Sequence, residues 1–115
     1  MAKEIKVAIV GGHVDSVTNI SNYLQGVGIK TVWAYLGTEV VSLCQNNNPD
    51  VLLMDSTMSG LGAFEAAKLL PKQKIIVMTG LDDVDQLAKQ FNNIKIVMKK
   101  PVDLEELQKN IRKIA

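Results

Sequence analysis

Three residues of this chain have types suited to group-transfer chemistry, and each lies directly after a short apolar run. Asp55 follows Val51-Leu52-Leu53-Met54, Thr79 follows Ile75-Ile76-Val77-Met78, and Lys100-Pro101 comes just past Ile94 to Met98. A carboxylate can act as a nucleophile, a hydroxyl can donate a hydrogen bond, and an ammonium can offset negative charge. Taken singly, each has a plainer reading: Asp55 as a turn or cap residue, Thr79-Gly80 as the opening of a loop, and Lys100 as part of a solvated connection. The chemistry requires a fold that brings the three together.

The apolar runs at Ile5 to Val10, Thr31 to Tyr35, Val51 to Met54, Ile75 to Met78 and Ile94 to Met98 are rich in β-branched residues and read as buried parallel strands. Between them, apolar residues recur at helical spacing: Val17, Ile20 and Leu24; Val40, Leu43 and Cys44; Phe64, Ala67 and Leu70; Val84, Leu87, Ala88 and Phe91. A last helix has Asp103 as N-cap, Glu106 completing a capping box, Val102 stapled onto Leu107, and a stripe of Leu104, Leu107, Ile111 and Ile114. Gly26 and Gly28, Asn46 to Pro49, and Pro71 end the first three helices. Alternation of this kind predicts one α/β domain over residues 1–115: a flavodoxin-like, doubly wound, five-stranded parallel sheet with helices on both faces. Ligands and chemistry in such sheets gather at the carboxyl ends of the strands. Gly11, Gly12, Asp55, Thr79 and Lys100 all fall there.

In order and spacing, these residues make the chain resemble the receiver domain of two-component response regulators. The resemblance rests on Asp55 in Leu53-Met54-Asp55-Ser56-Thr57-Met58, Thr79 in Val77-Met78-Thr79-Gly80, and Lys100-Pro101, and it covers nearly the whole chain. It implies that Asp55 stands at the phosphoacceptor position, with Thr79 and Lys100 assisting. It also implies a protein partner, either a histidine kinase or an effector domain, and signalling through the last two helices and the strand between them.

The pattern breaks at the end of the first strand. Receivers carry two acidic residues there that hold a divalent cation, usually magnesium, whereas this chain has Gly11-Gly12-His13. Magnesium favours hard oxygen ligands in near-octahedral geometry. Only Asp55 and a backbone carbonyl near Thr57 remain, so no metal is expected, or Mg²⁺ at most weakly. Asp15 is expected to cap the first helix rather than replace a ligand. His13 reads as a surface residue, and Cys44 as core. Gly11 and Gly12 would open space or permit unusual backbone angles. The aromatic residue that receivers place three positions before the Lys is Val97, and the Pro four positions past the Asp is Ser59, leaving the Met58 to Gly62 loop less constrained.

Composition narrows the remaining classes. Thirteen Lys and Arg against twelve Asp and Glu give a net charge of +1, and no basic segment calls for nucleic acid. Lys109, Arg112 and Lys113 read as solvated cations favourable to a helix C-terminus. One cysteine, no signal peptide and no membrane-length apolar stretch lead to an expectation of a cytoplasmic domain. The reading is therefore a non-enzymatic pseudo-receiver acting through protein–protein interaction, with impaired Mg-dependent phosphorylation. A phosphorylation-competent receiver that takes phosphate at Asp55 from a histidine kinase is the alternative. A remote alternative, nucleotide binding at Val7-Ala8-Ile9-Val10-Gly11-Gly12, lacks a third glycine near the helix start and an acidic residue ending the second strand. Oligomeric state is left open.

Overall fold

The structure, a computed structural model, describes residues 4–81 and 84–115. Its elements run β1 (Lys6–Val10), α1 (Val14–Gly26), β2 (Lys30–Ala34), a 3₁₀ turn (Gly37–Glu39), α2 (Val40–Asn47), β3 (Val51–Asp55), α3 (Ala63–Leu69), β4 (Ile75–Thr79), α4 (Val84–Ala88), β5 (Ile94–Lys99) and α5 (Leu104–Ile114). All pairings are parallel, in the order β2-β1-β3-β4-β5. The chain leaves β1 for β2 on one side and returns to β3 on the other, so the sheet's switch point lies between β1 and β3.

Every residue of β3 and of β4 is buried, which is why those strands are unbroken apolar runs. Successive side chains alternate between two cores. Val7 and Ile9 of β1 pack with Val17, Ile20 and Leu24 of α1 and with Leu107 and Ile111 of α5. Ala8 and Val10 face the opposite way, with Val40 and Cys44 of α2, the alanines of α3, and Val84 and Ala88 of α4. The doubly wound architecture expected from the alternation is the one observed.

Several local expectations require correction. Asp15 does not cap α1: His13 occupies the N-cap with extended backbone and no side-chain bond, and Asp15 sits in the first turn. There its charge still opposes the positive end of the helix dipole. The segment read as one helix from Val84 through Phe91 is helical only to Ala88, after which Gln90 and Phe91 donate to carbonyls three residues back, tightening the chain out of the helix. Leu87 consequently stands exposed, while Phe91 packs on Phe64 with ring centroids 5.6 Å apart. Arg112 is not merely solvated, because its guanidinium donates to the Val27 carbonyl at 2.8 Å and ties α5 to the end of α1.

Other boundaries follow from local chemistry as expected. Gly28 terminates the α1 turn at φ +87°, and Asn48 ends α2 in the left-handed region at φ 47°. Asp103 accepts from the Glu106 N–H at 3.0 Å, and Val102 joins the same core as Leu107. Gly37 has a steric role, since the Leu61 carbonyl occupies the space a Cβ would need. That contact holds the loop after β2 against the loop after β3.

Candidate functional site

Asp55 is the last residue of β3, Thr79 the last of β4, and Lys100 the first past β5. Neighbouring parallel strands in register bring these ends together: Asp55 lies opposite Met78, and Thr79 opposite Lys99. The Lys100–Pro101 peptide is cis. Lys100 Nζ lies 2.7 Å from Asp55 Oδ1, with the carboxylate side chain only 10% exposed and the lysine side chain 40% exposed. The lysine thus neutralises a nearly buried charge while keeping part of its stem and head in water.

Thr79 is 1% exposed, and its hydroxyl is engaged on the strand side: Ser56 Oγ donates to Thr79 Oγ1 at 2.9 Å, and the Leu81 N–H donates to the same atom at 3.0 Å. Sequence reading missed Ser56. The signal was its position directly after Asp55, one register step from Thr79, where a hydroxyl can reach across adjacent strands. The Ser56 N–H also donates to the Met78 carbonyl at 2.8 Å, extending the β3–β4 pairing past Asp55.

At the end of β1, neither Gly11 nor Gly12 adopts positive φ, so backbone freedom does not explain them. Space does, and differently at each. A Cβ on Gly11 would sit 3.2 Å from Asp55 Oδ2 and 3.1 Å from Val17 Cγ2, whereas one on Gly12 would meet nothing within 4 Å. Asp55 therefore occupies ground that a side chain at position 11 would contest.

A cleft of about 540 Å³ opens beside this pair, walled by α1 on one side and by the Lys100 to Leu104 connection on the other. His13 lines it, together with Gly11 and Asp55. Asp15 is exposed and is not among the lining residues, and Thr57 lies on a separate cleft between α3 and Phe91. Asp55 supplies the carboxylate of this cleft, and no group of three or more His, Cys, Asp or Glu gathers anywhere among the described residues. Such a donor set does not suit a hard divalent cation, which requires several oxygen ligands.

Val97 and Cys44 both lie in or against the core, away from this cleft. Val97 is partly buried against the core beneath α2, α3 and α4, and pairs with Val77, presenting no ring to reorient. Cys44 is buried in the same core, and burial pushes its thiol up to about 11, which leaves it protonated and unreactive at neutral pH.

The sequence matches the response regulator receiver domain family over residues 7–112. This chain belongs to that family. It is 29% identical to Protein PilH of Pseudomonas aeruginosa over 95% of this chain and 96% of that protein. It is 31% identical to response regulator GacA of the same organism over 96% of this chain but 55% of the relative, so the chain spans about half of that longer protein. Chemotaxis protein CheY4 of Vibrio cholerae superposes with a TM-score of 0.89 at 22% identity, covering 98% of this chain and 100% of that one, which shows the shared fold. The chain is thus a receiver of the two-component type, a signalling module. No helix of the described residues is long and apolar enough to cross a membrane.

The pairing in this receiver has an asymmetric energetic consequence. Lys100→Ala strands a nearly buried carboxylate, whereas Asp55→Asn leaves a lysine that can turn to solvent. Because Lys100 is partly exposed, the loss on its removal should be about 1–2 kcal/mol, below the ~3–5 kcal/mol of a fully buried pair. Asp55→Asn should change stability by less than about 1 kcal/mol. Urea denaturation of both variants checks the ranking, and equal losses would refute it.

Proposed function

We propose that this receiver is a pseudo-receiver: a cytoplasmic module that acts by binding a protein partner, a histidine kinase or an effector domain, with little aspartyl phosphorylation and no direct contact with nucleic acid or membrane. The observation that carries the reading is the environment of Asp55. Its carboxylate is answered by Lys100 on one oxygen and faces glycine backbone on the other side, where a metal would need further carboxylates. Phosphoryl transfer would bring an anionic group against an anionic carboxylate with a single ammonium to offset the repulsion. Mg²⁺ then binds weakly if at all.

A ligand or modification shifts a conformational equilibrium only through differential affinity for its states. Without metal-bound phosphate, and with Val97 in place of a ring, the domain holds one dominant conformation. Its output then depends on its abundance and on an exposed helix face. Asp55→Asn should leave cellular function largely intact, while Lys109→Glu on the exposed side of α5 should impair it. Lys109 is a cleaner probe than Arg112, whose guanidinium also has the structural bond to Val27. Complementation with both variants, each checked for folding by circular dichroism, decides the matter. Loss of function in Asp55→Asn alone would favour the second reading, a phosphorylation-competent receiver, which the retained constellation of Asp55, Thr79 and Lys100 supports.

A further inference from the structure

The cleft beside Asp55 combines features that the signalling role does not use. It has about 540 Å³ of space, within the range of small-molecule sites. Its walls include Val17, Ile20, Val102 and Leu104, and its rim includes the polar side chains of Ser16 and Asn19. At its base, Asp55 is 7% exposed overall, and Lys100 engages Oδ1. Oδ2 lies on the Gly11 side and has no hydrogen-bond partner among the described residues. Since no fully buried side-chain oxygen or nitrogen among them lacks a partner, Oδ2 retains some exposure, and Asp55 lines the cleft.

We propose that this cleft binds a small amphiphilic organic cation, with an ammonium group on Asp55 Oδ2 and an apolar body against the α1 and Val102–Leu104 walls. The proposal rests on the reading that Mg²⁺ does not hold this place. A hard divalent cation requires several oxygen ligands, but an ammonium is satisfied by one carboxylate, nearby neutral acceptors and apolar surface for its stem. Ser16 Oγ and the Asn19 side-chain carbonyl are such acceptors. Asp55 would bridge the ligand and Lys100, which lines the cleft along with His13, and Asp15, outside the lining but in the first turn of α1, offsets the positive helix end that would otherwise favour an anion. Gly11 has a direct part, because any side chain there would press on Oδ2 and on Val17.

The test uses 2-phenylethylamine as probe, with phenylacetate as a near-isosteric anion and MgCl₂ alone as controls, each titrated into the ¹⁵N-labelled chain and followed by NMR. Saturable shifts confined to Gly11 to Ile20, Asp55 and Lys100 to Leu104 are expected with the amine only. Asp55→Asn should weaken them about tenfold or more. Ser16→Arg, a change on an exposed helix position, should abolish them by placing bulk and positive charge over the mouth. No saturation with the amine, equal binding by phenylacetate, or unchanged binding by Asp55→Asn would each overturn the proposal. If MgCl₂ saturates the same residues at millimolar or lower concentration, the pseudo-receiver reading fails as well. If neither MgCl₂ nor the amine binds, this inference alone fails.

Discussion

Gly12→Asp is expected to raise the affinity of this receiver for Mg²⁺, with saturation in the millimolar range or below. The position accepts a side chain without displacement, since a Cβ there meets no atom within 4 Å and the backbone is not left-handed. A carboxylate at position 12, next along the chain from the Gly11 that borders Asp55, adds a hard oxygen ligand of the type Mg²⁺ selects. Two unit charges 4 Å apart interact by about 4 kcal/mol at an effective dielectric near 20, and desolvation takes back much of that, leaving a gain of roughly tenfold to a hundredfold in affinity. Gly11→Asp is expected to do less, because its Cβ presses on Asp55 Oδ2 at 3.2 Å and on Val17 at 3.1 Å. Isothermal titration of both variants with Mg²⁺ checks the order. A gain at position 11 exceeding that at position 12 would show that the geometry around Asp55 has been misjudged.

Leu107→Ala should be the most damaging of the single substitutions considered, costing about 2–5 kcal/mol. Leu107 is 0% exposed in the core that joins β1, α1 and α5, and the helix around it is also tied by the Asp103 cap, by Tyr23 on Gln108 and by Arg112 on the Val27 carbonyl. A small domain has a total stability of about 5–15 kcal/mol, so this loss consumes a large share. At roughly 4–8 °C per kcal/mol, thermal unfolding should move down by at least about 8 °C. Differential scanning calorimetry checks it, and a shift under about 5 °C would mean that α5 contributes little to cooperative folding. Lys109→Glu on the same helix should leave the transition nearly unchanged, which separates loss of an interaction surface from loss of the helix.

Much of this architecture was legible in sequence because fully buried parallel strands leave unmixed signals. β3 and β4 are buried at every position, so their apolar runs end where Asp55 and Thr79 begin the site. What escaped notice depends on contacts between segments distant in sequence. The Gly37 approach to the Leu61 carbonyl and the Arg112 bond to Val27 are tertiary facts without a local motif. The exit from α4 at Ala88 was hidden because Leu87 and Phe91 continue the helical spacing although the backbone does not. At the site, the types and order of Asp55, Thr79 and Lys100 could be read directly. The unequal room at Gly11 and Gly12, and the engagement of Thr79 by Ser56, required coordinates.

The central claim is that Asp55 has lost the surroundings that make a receiver carboxylate an efficient phosphoacceptor. Its most direct test is the intact mass of the full chain after incubation with a small phosphodonor and excess Mg²⁺, with Asp55→Asn alongside. The account predicts that both proteins remain at their starting mass, and that Gly12→Asp gains a phosphoryl group under the same conditions. Near-stoichiometric addition of one phosphoryl group to the unaltered chain, absent in Asp55→Asn, would contradict it.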